Sequence, residues 1–268
     1  MNRAARLLVL LPLLAGPARA DTAPTDVLRV CADPDNLPYS SADGSGFENR
    51  LARLLAQDLG TALQYAWLPD SRGFVRKTMG AGVCDVVLGV PAGDARVQTT
   101  QPYYRSSYVW VQRADRGEPP SGFDDPRLAR MRIGVQLIGD DMAASPPGFA
   151  LARHVPKARV TGFPIPGETP AAQRIVEALA AGELDGALVW GPQAGFFAQR
   201  AGVPMRIVRL AAPADLPRPQ TFEFDIAVGV RRGDDLLRQR VQDALQRHRA
   251  DIDQLLAEYG VPRVEARP

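Results

Sequence analysis

The strongest constraint on this chain is a rhythm that occurs twice. From Leu28, short apolar stretches alternate with segments whose apolar residues recur at helical spacing, and after a polar, proline-containing break the rhythm begins again. Such alternation marks mostly parallel sheets covered by helices on both faces. The fold class is therefore α/β. In the first run the spacing predicts strands at 28–32, 62–67 and 85–90, with a helix at 47–59 carrying Leu51, Leu54, Leu55 and Leu59 on one face and ended by Gly60. A shorter helix is expected at 73–81.

A long strand at 103–113, rich in aromatic and β-branched residues, reads as a crossing out of the first unit. The polar stretch 114–126 follows it. The second run then predicts strands at 131–136, 158–163 and 187–189, a helix at 170–181, and a glycine- and proline-broken segment up to His154. An apolar strand at 224–230 returns the chain to the first unit, and 234–259 has helical periodicity interrupted near His248. The expected division is a leader at 1–20, lobe I at 21–107 and 225–268, and lobe II at 108–224. About 248 residues after the leader exceed what one core fills comfortably, which agrees with two lobes.

The leader is read from Arg3 and Arg6, the apolar run from Leu7 to Ala15, and the small-residue sequence Ala18-Arg19-Ala20. Cleavage after Ala20 would release the chain to the periplasm. Nothing else approaches the roughly 20 apolar residues of a membrane helix, so no stable membrane insertion is expected, and without a cysteine directly after the cleavage site no lipid anchor is expected. Removing the leader reduces 32 basic residues to 29 against 30 acidic ones, so the chain is nearly neutral and no nucleic-acid partner is indicated. Cys31 and Cys84 in an oxidising compartment invite one disulfide. Against it, one lies near the end of a strand and the other at the start of another, so two buried thiols remain the alternative.

Two crossings allow paired lobes to open and close around a ligand at the carboxyl ends of both sheets. The walls of that cleft should come from loops 33–45, 67–74, 90–96, 137–147 and 190–196.

At these loops the chain resembles the polar amino-acid receptors of extracellular solute-binding family three, which have the two-lobe periplasmic binding protein type 2 fold. The resemblance lies in Leu28-Arg29-Val30-Cys31-Ala32, Gly46-Phe47-Glu48, Gly82-Val83-Cys84-Asp85, Gln101-Pro102-Tyr103-Tyr104 and Gly182-Glu183-Leu184-Asp185. Longer strings are similar to a branch of that family encoded beside PQQ-dependent methanol dehydrogenases. These are Asp33-Pro34-Asp35-Asn36-Leu37-Pro38-Tyr39, Arg72-Gly73-Phe74-Val75-Arg76, Gly89-Val90-Pro91-Ala92-Gly93, Val135-Gln136-Leu137-Ile138-Gly139-Asp140-Asp141 and Val189-Trp190-Gly191-Pro192. The resemblance implies a non-enzymatic accessory role, in maturation or activation, toward a lanthanide- or calcium-dependent quinoprotein alcohol dehydrogenase and its cytochrome c. The chain itself would be a monomer without a cofactor or metal.

An amino-acid receptor must pair both a carboxylate and an ammonium in a partly dry cleft. By analogy with the family, Arg96 is the candidate carboxylate clamp, but Pro91 and Gly93 replace its helper hydroxyls. Trp190 stands where a carboxylate would hold the ammonium, and Asp140 with Asp141 would repel the substrate. These departures argue against an α-amino acid. The remaining candidates describe an aromatic, partly polar cleft for an apolar partner segment: Asn36, Tyr39, Phe47, Glu48, Phe74, Tyr103, Tyr104 and Gln136, with Trp190 at a strand exit. Phe196 and Phe197 are further aromatic candidates. His154 and His248 fall outside the expected cleft, and no hydrolase or phosphate-loop motif occurs. Two other readings stand beside this one: an ABC-importer receptor for a small solute that is not a standard amino acid, and an enzyme such as a dehydratase using Glu48 or Asp141.

Overall fold

The computed structural model describes residues 26–70, 73–138, 143–165, 169–217 and 220–264. The leader and the Asp140-Asp141 pair lie outside the described residues. In chain order the elements are β1 (Val27–Ala32), β2 (Asp35–Asn36), β3 (Ser40–Ser41), α1 (Phe47–Leu59), β4 (Ala62–Trp67), α2 (Phe74–Lys77), β5 (Val86–Pro91), β6 (Gln98–Thr99) and the long β7 (Tyr104–Arg113). The second run has β8 (Arg132–Ile138), β9 (Ala143–Ala144), α3 (Pro146–His154), β10 (Arg159–Pro164), α4 (Ala171–Ala180), β11 (Gly186–Trp190), α5 (Gly191–Ala198) and β12 (Met205–Val208). The chain closes with β13 (Glu223–Val230), α6 (Asp235–Arg247) and α7 (Arg249–Glu258).

The strand order is β10-β8-β11-β7-β13-β5-β1-β4. Read outward from its centre, each half has the same plan. In the first, β4, β1 and β5 are parallel and β13 runs antiparallel to β5. In the second, β10, β8 and β11 are parallel and β7 runs antiparallel to β11. The two crossing strands pair with each other, Ser107 opposite Glu223 through Tyr104 opposite Ile226. Each half has apolar clusters on both faces. In the first, Leu28, Val30, Leu51, Leu55, Val86 and Ile252 fill one face, while Phe74, Met79, Val87 and Val97 fill the other.

The repetition extends to hydrogen bonds. In the first half Asp85 accepts from the Arg29 backbone N–H at 3.1 Å and from its guanidinium at 3.0 and 2.7 Å. In the second, Asp185 accepts from the Arg132 backbone N–H at 2.8 Å and from its guanidinium at 3.1 and 2.8 Å. The backbone N–H of each aspartate returns a bond to the carbonyl of its arginine. This staple ties the start of the first strand of each half to the turn before the third. A bidentate charged pair fixes both distance and orientation, so the amino ends of both sheets are locked and the carboxyl ends are left for the loops.

Cys31 and Cys84 are bridged, with Cα atoms 5.5 Å apart. The sequence-based objection to the bridge fails because Cys84 lies on the turn before β5, held beside β1 by the Arg29–Asp85 staple. Closing a loop of 53 residues' separation restricts the unfolded chain by about 4 kcal/mol. The broken segment before His154 ends in a helix, since Pro146 and Pro147 occupy its first turn, where proline costs no hydrogen bond. The expected loop at 190–196 starts α5 in the same way with Pro192, and β12 was not foreseen. The helix expected at 73–81 is only the single turn α2.

Replacing Asp185 or Asp85 by alanine should lower the unfolding free energy by about 1 to 2 kcal/mol, because a part-buried N–H and a half-exposed guanidinium lose their acceptor. Asparagine, which keeps one acceptor, should cost less. Urea unfolding of the purified variants measures both.

Candidate functional site

The carboxyl ends of the two sheets meet around a cavity of about 330 Å³. From the first half it is walled by Asn36 of β2, Tyr39 in the following turn, Glu48 in the first turn of α1, Asp70 after β4, and Leu88, Gly89 and Pro91 of β5. The crossing strands give Tyr104 and Tyr108 from β7 and Phe224 and Ile226 from β13. The second half adds Gln136 at the end of β8, Ile165 after β10, Trp190 at the end of β11 and Gln193 in α5.

Trp190 is held at several points. Its backbone N–H donates to Gln136 Oε1 at 2.8 Å, and the Gln136 amide donates to Gln193 Oε1 at 2.7 Å. Its ring meets Tyr108 and Phe224 edge-on, at centroid distances of 5.3 and 5.5 Å. The indole also reaches the Tyr39 hydroxyl, joining a loop of the first half to a strand of the second. The aromatic wall is thus preorganised, with amide groups beside it.

Glu48 is the unusual group. Its Oε1 is buried without a hydrogen-bond partner and lies against the backbone of Gly89, where a Cβ would come within 2.3 Å. Gly89 also has φ +72°, so two separate constraints require glycine there. Burial first, and then the charge of Asp70, push the Glu48 carboxyl up to about 8. At neutral pH it is therefore mostly the neutral acid.

Seven of the candidates named from sequence come together: Asn36, Tyr39, Glu48, Pro91, Tyr104, Gln136 and Trp190. Four do not line the cavity. Arg96 turns back to Asp94 in an ion pair at 2.5 Å and stands 62% exposed, because a carboxylate two residues away captures it before any ligand does. Phe47 lies behind the wall, edge-on to Tyr39 and Tyr104. Phe74 packs in the cluster around the disulfide, and Tyr103 is buried beside Tyr104. Phe196 and Phe197 belong to the core of the second half. Sequence reasoning missed Tyr108 and Phe224, while Asp70 and Gln193 lie in loops it expected at the cleft without singling them out. Tyr108 was legible, since two-residue alternation along β7 puts it on the same face as Tyr104.

No arginine, lysine or histidine is among the described residues that line the cavity. His154 pairs with Asp215, and His248 with Asp58 and Asp251, elsewhere. The described residues contain no cluster of metal-binding side chains. A ligand carboxylate would face Glu48 and Asp70 with no cation among the described lining residues to pair it.

Because Glu48 binds its proton more tightly when folded than when unfolded, folding stability should fall as pH rises from about 4.5 to about 8 and then level off. Glu48→Gln removes this dependence. Relative to the native chain it should gain about 2 kcal/mol at pH 9, after allowance for partial exposure, and much less at pH 5. Denaturant titrations across that range test the sign.

The chain matches the bacterial extracellular solute-binding proteins, family 3, over residues 28–262. Protein MoxJ of Methylorubrum extorquens is 32% identical over an alignment of 277 residues, covering 95% of this chain and 91% of the relative. A protein of the same name from Paracoccus denitrificans is 31% identical over 260 residues, covering 93% and 92%. The crystal structure of periplasmic binding protein XoxJ from Methylobacterium extorquens AM1 superposes with a TM-score of 0.72 at 34% identity, covering 89% of this chain and all of that one. With the family matched across both halves and the cleft between them, the chain belongs to the bacterial extracellular solute-binding proteins, family 3.

Proposed function

We propose that this protein is a non-enzymatic periplasmic accessory factor of a PQQ-dependent alcohol dehydrogenase, acting in its maturation or activation, with the cleft receiving an apolar segment of the partner. The observation that carries this reading is the wall of the cleft: five aromatic side chains, no basic residue among the described lining residues, and Arg96 committed to Asp94. A family 3 cleft with no basic residue among its described lining residues is unsuited to α-amino acids, whose desolvated carboxylate would cost several kcal/mol unpaired. Amphipathic aromatics such as Tyr39, Tyr108 and Trp190 instead suit recognition of protein side chains. Likeness to MoxJ and XoxJ, together with the strings that resemble the dehydrogenase-associated branch, supports a dehydrogenase as the partner. In this reading the leader is removed after Ala20, the lobes divide at 107/108 and 224/225, and the mature monomer works beside the dehydrogenase and its cytochrome c.

The second reading, an importer receptor for a small solute other than a standard amino acid, is favoured by the cavity volume, about 330 Å³, which is of a size that takes a small molecule.

Capture with the tagged mature chain from the periplasm of alcohol-grown cells of the source organism should retain the dehydrogenase. Trp190→Ala should weaken that retention about tenfold or more, as expected for an interface anchor. No retention, together with normal dehydrogenase activity in a deletion strain, would overturn the proposal.

A further inference from the structure

We infer that the cavity is a site for an alkylammonium group, an apolar stem ending in a cationic nitrogen, whether on a free amine or on a lysine side chain. The inference rests on the accessory reading for the lysine source only. The geometry stands apart from it.

The cavity joins the two features that hold organic cations. One is a set of aromatic side chains: Tyr104, Tyr108, Trp190 and Phe224 line the cavity, and Tyr108 and Phe224 meet Trp190 edge-on. The negative face of an aromatic ring attracts a cation most when water is excluded. The other is a carboxyl group without a partner. Glu48 lines the same space, and the described lining residues include no arginine, lysine or histidine to pair with it. A cationic N–H donor in the cavity would supply the charged partner that the wall does not. Asp70 at the mouth adds a second carboxylate, with Asp33 bonded to its backbone N–H at 2.6 Å. Among the described residues, Arg96 interacts with Asp70 but has its guanidinium on Asp94.

Neutral and anionic ligands of the same shape separate this inference from simple apolar binding. The mature protein is titrated calorimetrically at pH 7 with n-butylammonium, n-butanol and butyrate, and in a further arm with Nα-acetyl-lysine amide. The inference expects n-butylammonium to bind at least tenfold more tightly than n-butanol, butyrate not to bind, and Glu48→Gln to lose at least tenfold in affinity for the cation. Binding should also release protons, seen as a heat that changes with the ionisation enthalpy of the buffer, because the carboxyl gives up its proton to pair with the nitrogen. Binding of the lysine amide as tight as that of n-butylammonium assigns the site to a protein side chain, and binding of the free amine alone assigns it to a small solute. Either outcome upholds the cation. Equal binding of n-butanol and n-butylammonium, or undiminished cation binding by Glu48→Gln, overturns it. Should the dehydrogenase still be retained in that case, the accessory reading stands without this inference.

Discussion

The arrangement depends on the pairing of two long strands. β7 and β13 meet at four residue pairs, and each then continues into a different sheet. Because each is antiparallel to the third strand of its half, the two parallel sheets end facing each other. That single constraint creates the cleft and puts Tyr104, Tyr108, Phe224 and Ile226, all from the crossing strands, in its floor. The Arg29–Asp85 and Arg132–Asp185 staples act at the opposite ends of the sheets. The rigid ends and the open ends of the molecule are thereby separated.

The electrostatics of the cleft follow from what that floor lacks. A receptor for amino acids invests its charge in an arginine aimed inward, whereas here Asp94 holds Arg96 at the rim. What lines the described wall instead is two carboxyls, Glu48 and Asp70, and burial together with the charge of Asp70 keeps the proton on Glu48 at neutral pH. Around it stand tyrosines whose hydroxyls burial holds neutral, Tyr39 and Tyr104 among them. In the reading proposed above, this cleft of a family 3 scaffold selects by shape, aromatic contact and its carboxyl groups.

Much of this was legible in the sequence, for identifiable reasons. Helix 47–59 was readable to the residue because its leucines recur at helical spacing and Gly60 ends it in the left-handed conformation. The crossings were readable from strand length. Asn36, Tyr39, Glu48 and Trp190 were placed because they lie just after strands or at the start of the following helix, where chain direction alone brings residues to the cleft. Arg96 was misplaced because sequence spacing does not show that Asp94 competes for it. Phe47 and Phe74 were misplaced because an aromatic near a strand exit faces cleft or core according to backbone direction, which composition does not carry. Phe224 reaches the cavity only through the register of β13 with the distant β7. In sequence the glycines and the proline of α5 resemble a turn, and only the strand before it fixes where the helix begins.

Hydrogen–deuterium exchange of the mature protein with and without the purified dehydrogenase tests the central claim most directly, that this receptor-shaped cleft now serves a partner protein. The account predicts slowed exchange in the segments that carry Asn36 to Glu48, Leu88 to Pro91 and Trp190 to Gln193, with no change on adding glutamate or arginine as free amino acids. Protection confined to other surfaces, or protection of the cleft by a free amino acid and not by the dehydrogenase, would contradict it.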